Sequence, residues 1–153
     1  MMFISLNNRQ TIPSMNKVLK IFLLGFVFFL TINANKTDFY KLGIIEFDKN
    51  NLKAAKLFFE KDIVRNPKNK DSYIFLAKIH KKQKNHDEFE KNLNTALLLD
   101  PKNEEALYLL IILKAKDGDF DFADKKMKVF DAVCKNMCGK SKELKKILKK
   151  TTG

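Results

Sequence analysis

His80 and His86 are the only histidines of the 153-residue chain, and Cys134 and Cys138 its only cysteines. Imidazole is the usual general acid or base near neutral pH, and thiolate is a strong nucleophile, so side-chain catalysis would most naturally start from these four. Neither histidine stands at a spacing to Cys, Asp or Ser that forms a triad. HExxH and Gly-rich phosphate loops are absent. No residue is assigned a catalytic role, and no cofactor is implied. The acidic stretch DGDFDFAD, Asp117 to Asp124, lacks the spacing of glycine and closing glutamate that a calcium loop has. It reads as a turn between helices with Asp119 capping the second, so no metal site is expected there. Cys134 and Cys138 lie four residues apart in CKNMC, which is not the redox CxxC spacing. Three states stay open for them. A disulfide fits at a fraying helix end, where the Cα atoms approach within about 4.4–6.8 Å. Two free thiols and a soft-metal site with Met137 are the others.

These residues sit in a chain with two unlike ends. Arg9, Lys17 and Lys20 are the only charges before residue 35, and an apolar run, IFLLGFVFFLTINA, fills 21–34. A basic start, a short apolar run and a small closing residue describe an export signal cut after Ala34. The signal is also complete from Met15. The alternative is an uncleaved inner-membrane anchor over residues 18–34, with the rest of the chain outside the cytoplasm. A spanning helix needs about 20 apolar residues, which this run falls short of. No Cys follows the run, which argues against a lipid-anchored form. The abundance of Lys, Asn, Ile and Phe is that of an AT-rich bacterial genome, so the expected location is the periplasm. The net charge is +12, and from Lys135 onward seven lysines face one glutamate. The chain therefore has a basic tail rather than a uniformly basic surface. Nucleic acid is not an expected partner, because no aromatic residues interleave with those lysines.

Between the ends the sequence repeats. NPKN and DPKN place Pro67 and Pro101 34 residues apart. The same shift aligns Phe39, Tyr73 and Leu107, then Leu42, Leu76 and Leu110, then Ile45, Ile79 and Leu113. Ala55, Phe89 and Ala123 align as well, and so do Phe59, Leu93 and Met127. Within each unit the spacings of three and four, as in Phe39, Leu42 and Ile45, put these residues on one helix face. Polar breaks at Asp48, Lys82 and Lys116 divide each unit into two helices. Asn50 and Gly118 hold matching places there and tolerate the left-handed backbone that ends a helix. Proline closes each unit because it removes an amide donor and clashes with the preceding turn. In this register His80 falls on the inner side of a first helix, and His86 begins a second.

A 34-residue helix–turn–helix with these residues resembles the tetratricopeptide repeat. Leu42-Gly43, Ala55, Phe59 and Pro67 carry the first unit, and Leu76-Ala77, Ala96 and Pro101 the second. Leu110, Gly118 and Ala123 carry a weaker third, in which Ile111 and Phe130 replace small residues and Lys135 replaces proline. Asp62 and Phe89 also depart from the pattern. The resemblance implies an all-α fold: a right-handed solenoid of about three such hairpins over 35–135 (units 36–69, 70–103 and 104–135). A basic capping helix and tail over 136–153 would close it, with Ser141 as N-cap and Leu144, Ile147 and Leu148 as its apolar stripe.

The resemblance also implies a function. Partners of such repeats lie in the concave groove lined by the first helices. The matching positions are Tyr40, Ile44 and Phe47, then Ile74, Lys78 and Lys81, then Tyr108, Ile112 and Lys116, with Ala115 beside them. Tyr40, Ile44 and Ile112 are equally compatible with ordinary core. Repeats that grip a C-terminal carboxylate use Lys, Asn and Arg in the groove, whereas Tyr40, Ile44, Phe75, Glu105 and Leu109 stand here. The expected function is a non-catalytic scaffold in the cell envelope, binding a protein or extended peptide. The alternatives are a membrane-anchored scaffold and a lipid-associating assembly factor that makes peripheral membrane contact through the Lys-rich C-terminal helix.

Overall fold

A computed structural model describes residues 38–150, with side chains through Lys149. The export signal or anchor lies outside the described residues. All regular structure among them is helical. The helices are α1 (Phe39–Asp48), α2 (Leu52–Arg65), α3 (Lys70–Lys82), α4 (His86–Leu99), α5 (Glu104–Lys116), α6 (Phe120–Val133) and α7 (Ser141–Lys150), with a 3-10 turn at Cys138–Lys140 before α7. The pairs α1–α2, α3–α4 and α5–α6 are hairpins, and each packs on the next. None of these helices is long and apolar enough to cross a membrane.

The helix ends repeat as strictly as the core. Asn51, Asn85 and Asp119, 34 apart, each accept the backbone N–H three residues on and start the second helices. Asn103 starts α5 in the same manner, and Asn69 starts α3 by accepting the N–H of Asp71, two residues on. A side-chain oxygen at this place satisfies an amide that has no partner inside the helix. The three turns all carry a left-handed residue, at Asn50 (φ 58°), Lys84 (φ 58°) and Gly118 (φ 81°). Lys84 breaks the preference for Asn or Gly there.

The core has two clusters. Ala55, Phe59, Leu76 and Ile79 form the first, and the second runs from Ile74 through Leu110 and Phe130 to Leu144. Ile45, aligned with the buried Ile79 and Leu113, is 48% exposed. It lies on the first described helix, and among the described residues no earlier hairpin packs beside it. Small residues set the helix spacing inside the first hairpin. A Cβ at Gly43 would lie 2.6–2.8 Å from ring atoms of Phe59, closer than real contacts allow. At the matching places the second hairpin pairs Ala77 with Leu93, exchanging bulk between its two helices. The third holds Ile111 and Met127, and both are buried.

Candidate functional site: the face of the first helices

The side chains of α1, α3, α5 and α7 meet in one connected strip, backed by the buried Phe59 of α2 and joined by Lys140 of the 3-10 turn. At its first end Phe75 stacks on Phe59, with ring centroids 4.9 Å apart. The Phe47 and Tyr40 rings meet Phe75 edge-on at 5.1 and 6.1 Å. Offset stacks and edge contacts of this kind are the favoured aromatic arrangements. Lys78 Nζ lies 4.6 Å from the Phe75 centroid and 2.7 Å from Glu105 on α5. Tyr108 donates its hydroxyl to Glu143 at 3.0 Å, and Lys140 Nζ approaches the same carboxylate at 3.0 Å and the Tyr108 ring at 5.7 Å. The strip is aromatic at the first repeat and ion-paired at the last. Burial pushes the Tyr40 hydroxyl above its ordinary pKa, with Asp71 and Asp62 adding to the effect. Tyr108 moves the same way through burial and its bond to Glu143. Both phenols stay protonated and able to donate.

Most of the sequence-selected positions fall on this strip or its edge. Tyr40, Ile44 and Phe47 are half-buried against the first core cluster, and Tyr108 and Ile112 against the second. Lys78 is half-buried, while Lys81 and Lys116 are exposed. Ile74 and Ala115 are the corrections: they are 3% and 2% exposed and belong to the core. At the matching places Tyr40 and Tyr108 are longer and remain partly exposed, whereas the shorter Ile74 ends inside. Phe75 takes the place in the strip that Ile74 does not. The sequence signal for Phe75 was its aromatic ring one position on, where the next repeat carries the buried Leu109.

His80 is buried at 5% exposure, and its Nδ1 has no hydrogen-bond partner. Burial lowers its pKa, and nearby Lys56 adds to this against the opposing pull of Glu88 and Glu60. His86 opens α4 and is exposed. The two histidines are not brought into one site with the cysteines. Cys134 and Cys138 form a disulfide, with Cα atoms 5.2 Å apart. The bridge uses both sulfurs, so the free-thiol and soft-metal states are set aside. The loop it closes is also held by Glu104, whose carboxylate accepts from the backbone N–H of Met137 (2.6 Å) and Asn136 (3.0 Å). Those bonds hold Glu104 below the usual carboxylate range.

The last helix packs on α5 and α6. Leu144, 34 residues after Leu110, is fully buried, and Ile147 and Leu148 pack on the same core. Ser141 is not the cap expected from sequence. It is the first residue of the helix, and its hydroxyl bonds Asp131 at 2.7 Å, tying α7 to α6. Lys145 reaches the same carboxylate at 2.8 Å.

Comparison with known proteins agrees with this geometry. Residues 70–103 match the tetratricopeptide repeat family. Among solved structures, the first tetratricopeptide domain of Spaghetti (RPAP3), bound to the HSP90 peptide SRMEEVD, is 17% identical with a TM-score of 0.67. The similarity covers 75% of this chain and 94% of that one. The Yersinia enterocolitica type III secretion chaperone SycD, in complex with a peptide of the translocator YopD, is 12% identical with a TM-score of 0.66, covering 74% and 89%. The TPR2B domain of yeast Sti1 is 19% identical with a TM-score of 0.61, covering 72% and 90%. No curated protein matches the sequence. The fold is an all-α, right-handed solenoid of helical hairpins. Residues 70–103 are recognisable in sequence as a tetratricopeptide repeat, and the hairpins on either side of them share its fold.

Proposed function

We propose that this protein is a non-catalytic interaction scaffold of the bacterial cell envelope, holding an extended segment of a partner protein against the first helices. The observation that carries the proposal is the half-exposed strip of Tyr40, Phe47, Phe75, Lys78 and Tyr108 across successive repeats. Aromatic side chains next to cations are typical anchors of binding energy. Peptides occupy the related folds of Spaghetti and SycD, which supports a peptide here. The envelope location rests on the basic and apolar N-terminus. Peripheral membrane contact would fall to the lysines of α7, since its apolar stripe is already spent on the core.

A cross-linked pull-down of the tagged chain from envelope extract tests the proposal. The comparison is a Tyr40→Ala/Tyr108→Ala/Lys78→Ala variant whose folding is confirmed by circular dichroism. Capture of a partner that the folded variant loses supports the scaffold. Equal capture by both moves the site off this face. Recovery of the chain in the membrane fraction would favour retention of residues 18–34 as an anchor.

A further inference from the structure

The turn of the second hairpin and the end of α5 enclose a cleft. Phe89, Ile112 and Leu113 form its floor, and Lys81, Lys84 and Lys116 its rim. No Asp or Glu lines it. None of the three lysines takes part in an ion pair among the described residues. Elsewhere on this face the cations are matched: Lys78 with Glu105, Lys114 with Glu90 and Lys140 with Glu143.

The repeat register explains the difference. One unit earlier the same three places hold Phe47, Asn50 and Lys82. There Lys82 donates to Asn50 Oδ1 at 3.0 Å and lies 5.0 Å from the Phe47 ring centroid. That cation finds its acceptor and its aromatic face within the protein. In the later junction Lys116 stands for Lys82, but Lys84 replaces the acceptor and Lys81 replaces the ring. Three like charges then share one cleft. Among the described residues their only aromatic contact is that of Lys81, 5.9 Å from the Phe89 centroid. Like charges gathered over an apolar floor favour an anion that brings its own apolar surface.

We propose that this cleft is a subsite for a carboxylate side chain of the bound segment, with a neighbouring apolar side chain seated on Phe89, Ile112 and Leu113. The proposal rests on the scaffold function and adds what the segment must carry. Its probe is acetyl-Asp-Leu-Glu-Phe-amide, titrated into the full-length ¹⁵N-labelled chain and followed by amide chemical shifts. Saturating shifts at 81–89 and 112–116 are expected. The Asn/Gln version of the peptide should bind about tenfold more weakly, the loss of one charge-assisted hydrogen bond. Lys84→Asn restores the internal acceptor of the earlier junction at a place where Asn already holds the left-handed turn. It should keep the melting temperature and lose about tenfold in peptide affinity. Equal binding of charged and neutral peptides, or indifference to Lys84→Asn, overturns the subsite. Identical shifts and affinity with sodium acetate alone overturn it in favour of a simple anion site. Shifts confined to the surroundings of Tyr40, Phe75 and Tyr108 discard the cleft while leaving the scaffold standing. Absence of any shift also discards the cleft, and the pull-down judges the scaffold separately.

Discussion

Between the first and second hairpins, buried Asp62 on α2 accepts from Ser72 Oγ at 2.6 Å and from Asn69 Nδ2 at 2.7 Å. Between the second and third, the same places hold Ala96 and Ala106, both fully buried. The first junction is polar and also packed with the rings of Phe47, Phe59 and Phe75. The second is aliphatic and leaves the lysine-rimmed cleft open. One backbone register therefore tolerates opposite chemistries, provided that the buried carboxylate and hydroxyl partner each other. A buried polar pair is exposed to the loss of either member, whereas an Ala pair has no partner to lose.

The largest break in this comparison comes from Asp62→Ala. It strands the Ser72 hydroxyl in the core and should lower stability by about 3 kcal/mol. The double variant Asp62→Ala/Ser72→Ala rebuilds the Ala pair of the later junction. It should return to within about 1 kcal/mol of the native chain, because Asn69 is partly exposed and water can serve it. Urea unfolding of the native, single and double forms measures both.

Gly43→Ala comes next. Alanine favours a helix over glycine by about 1 kcal/mol. Here its Cβ meets the Phe59 ring, so overpacking should win and stability fall by roughly 1–2 kcal/mol. A thermal melt that rises instead would mean that the Phe59 ring moves aside freely. Reduction of Cys134–Cys138 should cost about 2 kcal/mol, as befits a short loop. Hydrogen exchange should place that loss in α7, with the protection of α3 and α4 unchanged.

The smallest effect concerns pH. His80 titrates lower in the folded protein than its ordinary value, so the unfolded chain binds the extra proton first. Stability is then full above pH about 6.5 and declines as pH falls through that value toward the folded one. Lys56 and Glu60 on α2 and Glu88 and Lys91 on α4 are the charged groups around the ring. Denaturant midpoints measured from pH 8 to 5 should show this decline in the native chain and a shallower one in His80→Met.

The periodic features were legible in the sequence because a packed hairpin demands them. Phe59, Leu93 and Met127 recur at 34 residues and are all buried. Pro67 and Pro101 close the second helices, and Asp119 caps the third as expected. What periodicity could not show was pairing between different positions. Asp62 read as a departure until Ser72 and Asn69 stood beside it. Lys84 carries no turn signal as a residue type, yet it holds the left-handed turn and replaces an acceptor. Ile74 was misplaced for a related reason. Helical spacing gives a direction, but side-chain length decides whether that direction ends in core or at the surface. The two cysteines were undecidable from spacing alone, since the bend after Val133 that brings them together is a tertiary feature.

The central functional claim is that the partner engages the first-helix face, and site-specific photo-cross-linking tests it most directly. A photoreactive phenylalanine analogue is placed at Tyr108 in one form and at Leu98, on the second-helix side and 82% exposed, in another. The account predicts a partner adduct from position 108 and none from position 98. An adduct from 98 with none from 108 would contradict it.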